Sequence, residues 1–148
     1  MPPPTHMAEY LFTYGTLQSG HAPAAIASAA ARLRHIGEGH IRGTLYNLGR
    51  YPGAILNANL ADMNARNANA TRKVYGTVYE LPDHHALLRR LDDYEEYFPN
   101  APALSQYLRV LHPVELAVGQ VLECWIYVYN RDVRSARVVE SGRWLPEK

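Results

Sequence analysis

A single cysteine, Cys124, stands among 148 residues, so the chain forms no internal disulfide and holds no zinc through cysteine pairs. Net charge is equally scarce: 15 Lys and Arg face 14 Asp and Glu, a formal +1. Without a basic excess there is no electrostatic case for a nucleic-acid partner, which needs cations to displace counterions from phosphates. No apolar run approaches the ~18 residues of a membrane span. The opening MPPPTHMAE has neither a basic start nor an apolar segment and does not read as a secretory signal. His84 and His85, neighbours on a helix, point in different directions, so a shared metal is not expected. There is no Gly-x-Ser-x-Gly and no His-Glu-x-x-His, hence no activated serine elbow and no zinc-protease helix. The expectation is a soluble, cytoplasmic protein without metal, cofactor, nucleic-acid or membrane partner.

What is present points to a folded core. Hydrophobic residues make up 47% and charged residues 20%, which excludes wholesale disorder, and the length suits one domain. Residues 1–9 are proline-rich and read as a flexible tail, leaving 10–148 as the domain. Tyr10–Leu17 predicts a first strand buried on both sides, because aromatic residues lie on one face and small ones on the other. Ala24–Leu33, opened by Pro23, predicts a helix. Gly37 and Gly39 mark a bend before a strand over Ile41–Leu48, and Ala54–Leu56 is a short strand. Asn57–Arg72 alternates asparagine and alanine and reads as a long polar loop. Val74–Leu81 is a strand. Pro82–Glu95 is a helix with Leu87, Leu88 and Leu91 as its apolar stripe. Tyr107–Leu111 is a strand, and Val114–Ala117 and Val121–Tyr129 form a hairpin turned at Gly119-Gln120. The pattern gives an α+β domain: a small mixed-sheet, barrel-like body with two or three helices.

Chemistry can sit at the end of the Pro82 helix. Leu88, Leu91 and Glu95 follow at i, i+3 and i+7, so Glu95 extends the apolar stripe and points inward, while Glu96 turns toward water. A carboxyl facing the core is disfavoured unless it is paired or working. Desolvation raises its pKa toward the range useful for proton transfer at neutral pH. The alternative is a glutamate that meets Arg109 or caps a loop amide. A second candidate is Tyr14-Gly15-Thr16-Leu17 at the exit of the first strand, where glycine admits a ligand close to the backbone amides. Arg109 suits either a salt bridge or a substrate carboxylate, and Tyr129 either a pocket hydroxyl or the core. Cys124, with no visible activating group, reads as a buried, inert thiol.

Five segments occur in order: Tyr14–Leu17; Gly43–Gly49 followed by Tyr51-Pro52; Val74–Tyr79; Leu91-Asp92-Asp93-Tyr94-Glu95; and Tyr107–Arg109. Their series, from about Tyr10 to Tyr129, resembles the gamma-glutamylcyclotransferase-like family, especially its gamma-glutamylamine cyclotransferase and avirulence-induced-protein branch. The resemblance implies a mixed barrel-like domain with a cavity beside the first strand. It implies that Tyr14, Gly15, Thr16 and Leu17 hold a γ-glutamyl group, with Arg109 and Tyr129 as further substrate-binding residues. Glu95 becomes the general acid/base of an intramolecular aminolysis that releases 5-oxoproline from a small-molecule γ-glutamyl substrate. Such an enzyme needs no metal. The sequence departs from the family's pattern at Asn57–Arg72, which looks inserted, and at Tyr97-Phe98-Pro99, where small residues are usual. A non-catalytic module that binds a small carboxylate or amide on the same fold is the competing expectation.

Overall fold

The computed structural model describes residues 9–15, 31–49, 51–56, 72–82 and 84–144. Seven strands and one α-helix follow in the order β1 (Tyr10–Thr13), β2 (Arg34–Asn47), β3 (Pro52–Leu56), β4 (Lys73–Glu80), α1 (His84–Tyr94), β5 (Tyr107–Leu116), β6 (Val121–Tyr129) and β7 (Arg137–Val138). A 3-10 turn at Pro102–Leu104 precedes β5. The sheet runs β3-β2-β4-β1-β6-β5, and β2 also pairs with β5, so β2, β4, β1, β6 and β5 close into a five-stranded barrel. All pairings are antiparallel except β1 with β6, where Leu11 lies beside Trp125. The α+β expectation holds. Among the described residues no helix is long and apolar enough to cross a membrane.

β1 is short and central, and both of its faces are buried. Phe12 packs with Ile41, Leu45, Val78 and Ile126 inside the barrel. Leu11 packs with Leu81, Leu87, Leu88 and Leu91 beneath α1. The leucine stripe of the helix is therefore buried as its 3.6-residue period requires. Cys124 is buried as well, and burial pushes its thiol up to about 12, which leaves it unreactive.

Besides shifts of one or two residues at other ends and the short β7, which the sequence reading does not include, three boundaries differ from the sequence reading. β1 stops at Thr13 rather than Leu17. β2 begins at Arg34, seven residues before Ile41, because the glycines taken as a bend lie inside the strand. The register shifts between His35 and Gly37, and Gly39 faces Leu116 where the barrel closes. A Cβ at Gly39 would stand 2.9 Å from the Glu115 carbonyl oxygen, so only glycine permits this closure. β5 is one strand through Pro113, not two. Pro113 pairs with Glu123 on β6, while β2 meets β5 only at Glu115 and Leu116, so the missing N–H falls where no ladder needs it. The helix read over Ala24–Leu33, apart from a turn at its last residues, and the loop Asn57–Arg72, apart from Arg72, lie outside the described residues, as do the His84 and His85 side chains.

Candidate functional site

α1 ends in a Schellman arrangement. The Tyr97 amide donates to the Asp92 carbonyl at 2.9 Å and the Glu96 amide to the Asp93 carbonyl at 3.3 Å. Glu96 occupies the left-handed position with φ 57°, a place where helices normally put glycine. A side chain there costs about 1 kcal/mol. Just before it, the Glu95 amide still donates to the Leu91 carbonyl at 2.8 Å. The helical register thus carries Glu95 inward, as its spacing from Leu88 and Leu91 predicts.

Glu95 faces a hollow of about 220 Å³ that also takes in Tyr14 and Gly15 beyond β1 and Pro52 from β3. This volume is below the range of drug-sized pockets and suits a small ligand. Three phenols surround the carboxyl, and each already has a partner. Tyr14 Oη donates to the Tyr127 carbonyl and accepts from the Ala54 amide at 3.1 Å. Tyr107 Oη donates to the Pro52 carbonyl at 2.7 Å. Tyr127 Oη donates to Asp92 Oδ1 at 2.6 Å. Burial, reinforced by the charge of Glu95, holds all three phenols well above the ordinary tyrosine range, so they remain protonated donors. Glu95 has no cation and no hydrogen-bond donor among the described residues. Burial alone pushes its carboxyl up to about 8. A carboxyl in that range can take and return a proton at neutral pH.

Gly15 lies against Pro52 of β3. A Cβ there would stand 2.7 Å from Pro52 Cγ, so the absence of a side chain leaves this stretch of backbone against the hollow. Thr16 and Leu17 lie outside the described residues.

Arg109 and Tyr129 do not line this hollow. Arg109 binds Asp92 through Nε at 2.8 Å and Nη2 at 3.2 Å, and its guanidinium lies 4.5 Å from the Trp125 ring centroid and 5.7 Å from that of Tyr97. It belongs to a second, wider hollow of about 610 Å³ that Phe98 and Pro99 also line. The salt-bridge reading of Arg109 is therefore the one that the geometry gives, with Asp92 as partner rather than Glu95. The Tyr129 ring packs against that of Tyr107, with centroids 5.4 Å apart, as a second row behind the wall. Sequence reasoning missed Asp92, Tyr107 and Tyr127. Asp92 follows Leu88 by four positions and so falls on the buried side, which is the signal that would have found it.

Residues 11–146 match the family described as gamma-glutamyl cyclotransferase, AIG2-like. The chain belongs to this family. It is 31% identical over 136 residues to the gamma-glutamylcyclotransferase family protein ytfP of Citrobacter rodentium, covering 91% of this chain and 94% of that one. The solution structure of ytfP from Escherichia coli superposes with a TM-score of 0.58 at 26% identity, over 92% of this chain and 96% of that one. The crystal structure of an AIG2-like protein from Mus musculus superposes with a TM-score of 0.63 at 20% identity, over 97% of this chain and 99% of that one, a likeness of fold. The hollow that takes in Glu95, Tyr14 and Gly15 lies beside the first strand, where the resemblance implies a cavity.

Proposed function

We propose that this member of the family is a γ-glutamyl cyclotransferase that releases 5-oxoproline from a γ-glutamyl amine or small γ-glutamyl peptide. The observation that carries the reading is the Glu95 carboxyl, unpaired among the described residues and raised toward neutrality in a hollow shared with Gly15.

The reaction asks little of the protein in covalent terms. The substrate's own α-amine attacks its γ-carbonyl carbon, the new C–N bond closes a five-membered ring, and the γ-amide C–N bond breaks. No protein nucleophile takes part. The site has to coil the glutamyl chain so that amine and carbonyl meet, which is an entropic task. Tyr14 fixes the end of β1 through its bonds to Tyr127 and Ala54, and thereby fixes Gly15. In this reading the amide of Gly15 is a donor for the oxygen that gains charge in the tetrahedral intermediate, and the resemblance assigns Thr16 and Leu17 to the same task. Glu95, as carboxylate, takes a proton from the α-ammonium. It passes that proton to the departing nitrogen, then takes the remaining extra proton from the ring nitrogen and gives it up to the released amine or to water, so acid and base are the same group in turn.

The test is incubation of the purified protein with γ-glutamyl-lysine, γ-glutamyl-alanine and glutathione, with 5-oxoproline as the readout. Release from at least one substrate, lost in Glu95→Gln, is the expected result. Silence from all three counts against turnover. Tight binding of a small acid that is not consumed gives the non-catalytic module instead.

A further inference from the structure

Among the described residues, the mouth of the hollow carries charge of one sign. Glu96 lines it together with Glu95, and its side chain is exposed to solvent. No Lys, Arg or His is among the described residues that line it. The guanidinium of Arg109 is committed to Asp92 and faces the other hollow. The other described residues of the rim are neutral: Gln106 Nε2 donates to Tyr51 Oη at 2.8 Å. The main chain of Glu96 is held on both sides. The Gln106 amide donates to the Glu96 carbonyl at 3.1 Å, and the Schellman bonds hold the joint from the helix side. A glutamate is thus held at a position that glycine fills at less cost, on the solvent side of the proposed acid/base.

We propose that Glu96 sets the preference of the site for the leaving amine. It favours γ-glutamyl amides whose amine portion bears a further positive charge and disfavours those that end in a carboxylate. This rests on the cyclotransferase reading above. With the glutamyl end coiled against Gly15 and Glu95, the amide nitrogen is where the substrate continues outward, so the distal end of the amine passes the rim. An exposed ion pair changes affinity by up to about fivefold. Attraction of a cation and repulsion of an anion together give a preference of about tenfold.

The experiment uses three amides of one length: those of γ-glutamate with 1,4-diaminobutane, butylamine and 4-aminobutanoic acid. The expected order of kcat/KM is cationic, neutral, anionic. The cationic-to-anionic ratio is about tenfold in dilute buffer and shrinks with added salt. Glu96→Gln brings that ratio to about one, and Glu96→Lys inverts it. Glu96→Gly relieves the left-handed backbone and flattens the ratio in the same way, so a fold-damaged variant is not mistaken for a charge effect. A wild-type ratio near one, or one that survives Glu96→Gln, overturns the proposal. If none of the amides releases 5-oxoproline, the catalytic reading fails by itself. Calorimetric Kd values for the three amides then decide the role of Glu96: the same order supports it, and equal Kd values or no binding overturn it.

Discussion

Asp92 on α1 and Glu95 just past its last residue sit one helical turn apart, the first buried and the second half-buried, and their surroundings are opposite. Asp92 receives three donors, two from Arg109 and one from Tyr127. Glu95 receives none among the described residues, and its carboxyl is pushed up to about 8. A carboxylate with its charge fully answered supports structure, and one left unanswered in a small hollow is available to move a proton. The lesson is that burial alone does not mark a working acid. The distinction lies in what the neighbouring strands bring, and β5 and β6 bring their cation and hydroxyl to Asp92.

The contrast can be broken first at Glu95. Glu95→Gln keeps the shape and removes the proton carrier, and 5-oxoproline release should fall by about 10²–10⁴-fold, the range that general acid–base groups supply. Steady-state assay of the folded variant checks this. Asp92→Ala should act on stability instead. It strands a guanidinium that is only 17% exposed, and loss of one partner from such a pair costs about 3–5 kcal/mol. Urea denaturation at neutral pH measures it.

Gly15→Ala probes the wall between the two elements of the site. The added methyl meets Pro52, and overpacking of this kind costs about 1–3 kcal/mol, with a raised KM in the same assay. A smaller effect separates the acids by pH. Between about pH 4.5 and 8 the unfolded chain has released the Glu95 proton while the folded chain keeps it, so this group withdraws stability as pH rises through that window and adds no further slope above it. Glu95→Gln should therefore melt a few degrees above wild type at pH 8.5 and close to it at pH 4.5, read by calorimetry. Smallest of all, Glu96→Gly should raise stability by up to about 1 kcal/mol through release of the left-handed strain.

Much of the site follows from local periodicity. The spacing Leu88, Leu91, Glu95 turns the acid inward, and the helix keeps its hydrogen-bond register through the Glu95 amide. The double burial of β1 is equally legible in its alternation of large and small residues. What local pattern does not carry is pairing at a distance. Arg109 reaches Asp92 from 17 residues away and Tyr127 from 35, and no helical or strand period predicts either. The same holds for the glycines of β2. Gly39 looks like a breaker because its neighbours in sequence give it no reason to be extended. The reason is the Glu115 carbonyl of β5, which only a residue without Cβ admits so closely. Pro113 misleads in the same direction, since a strand tolerates it where its other edge has no ladder.

The tie between Tyr14 and the Tyr127 carbonyl joins points 113 residues apart, and β1 finds its parallel neighbour only in β6. Contacts of such long range are slow to form, because the intervening loop has to be closed before they are rewarded. On a ribosome the first strand can meet β4 early but waits for its second neighbour until β6 has emerged. The hollow beside β1, which Tyr127 helps to line, is completed only in that late step.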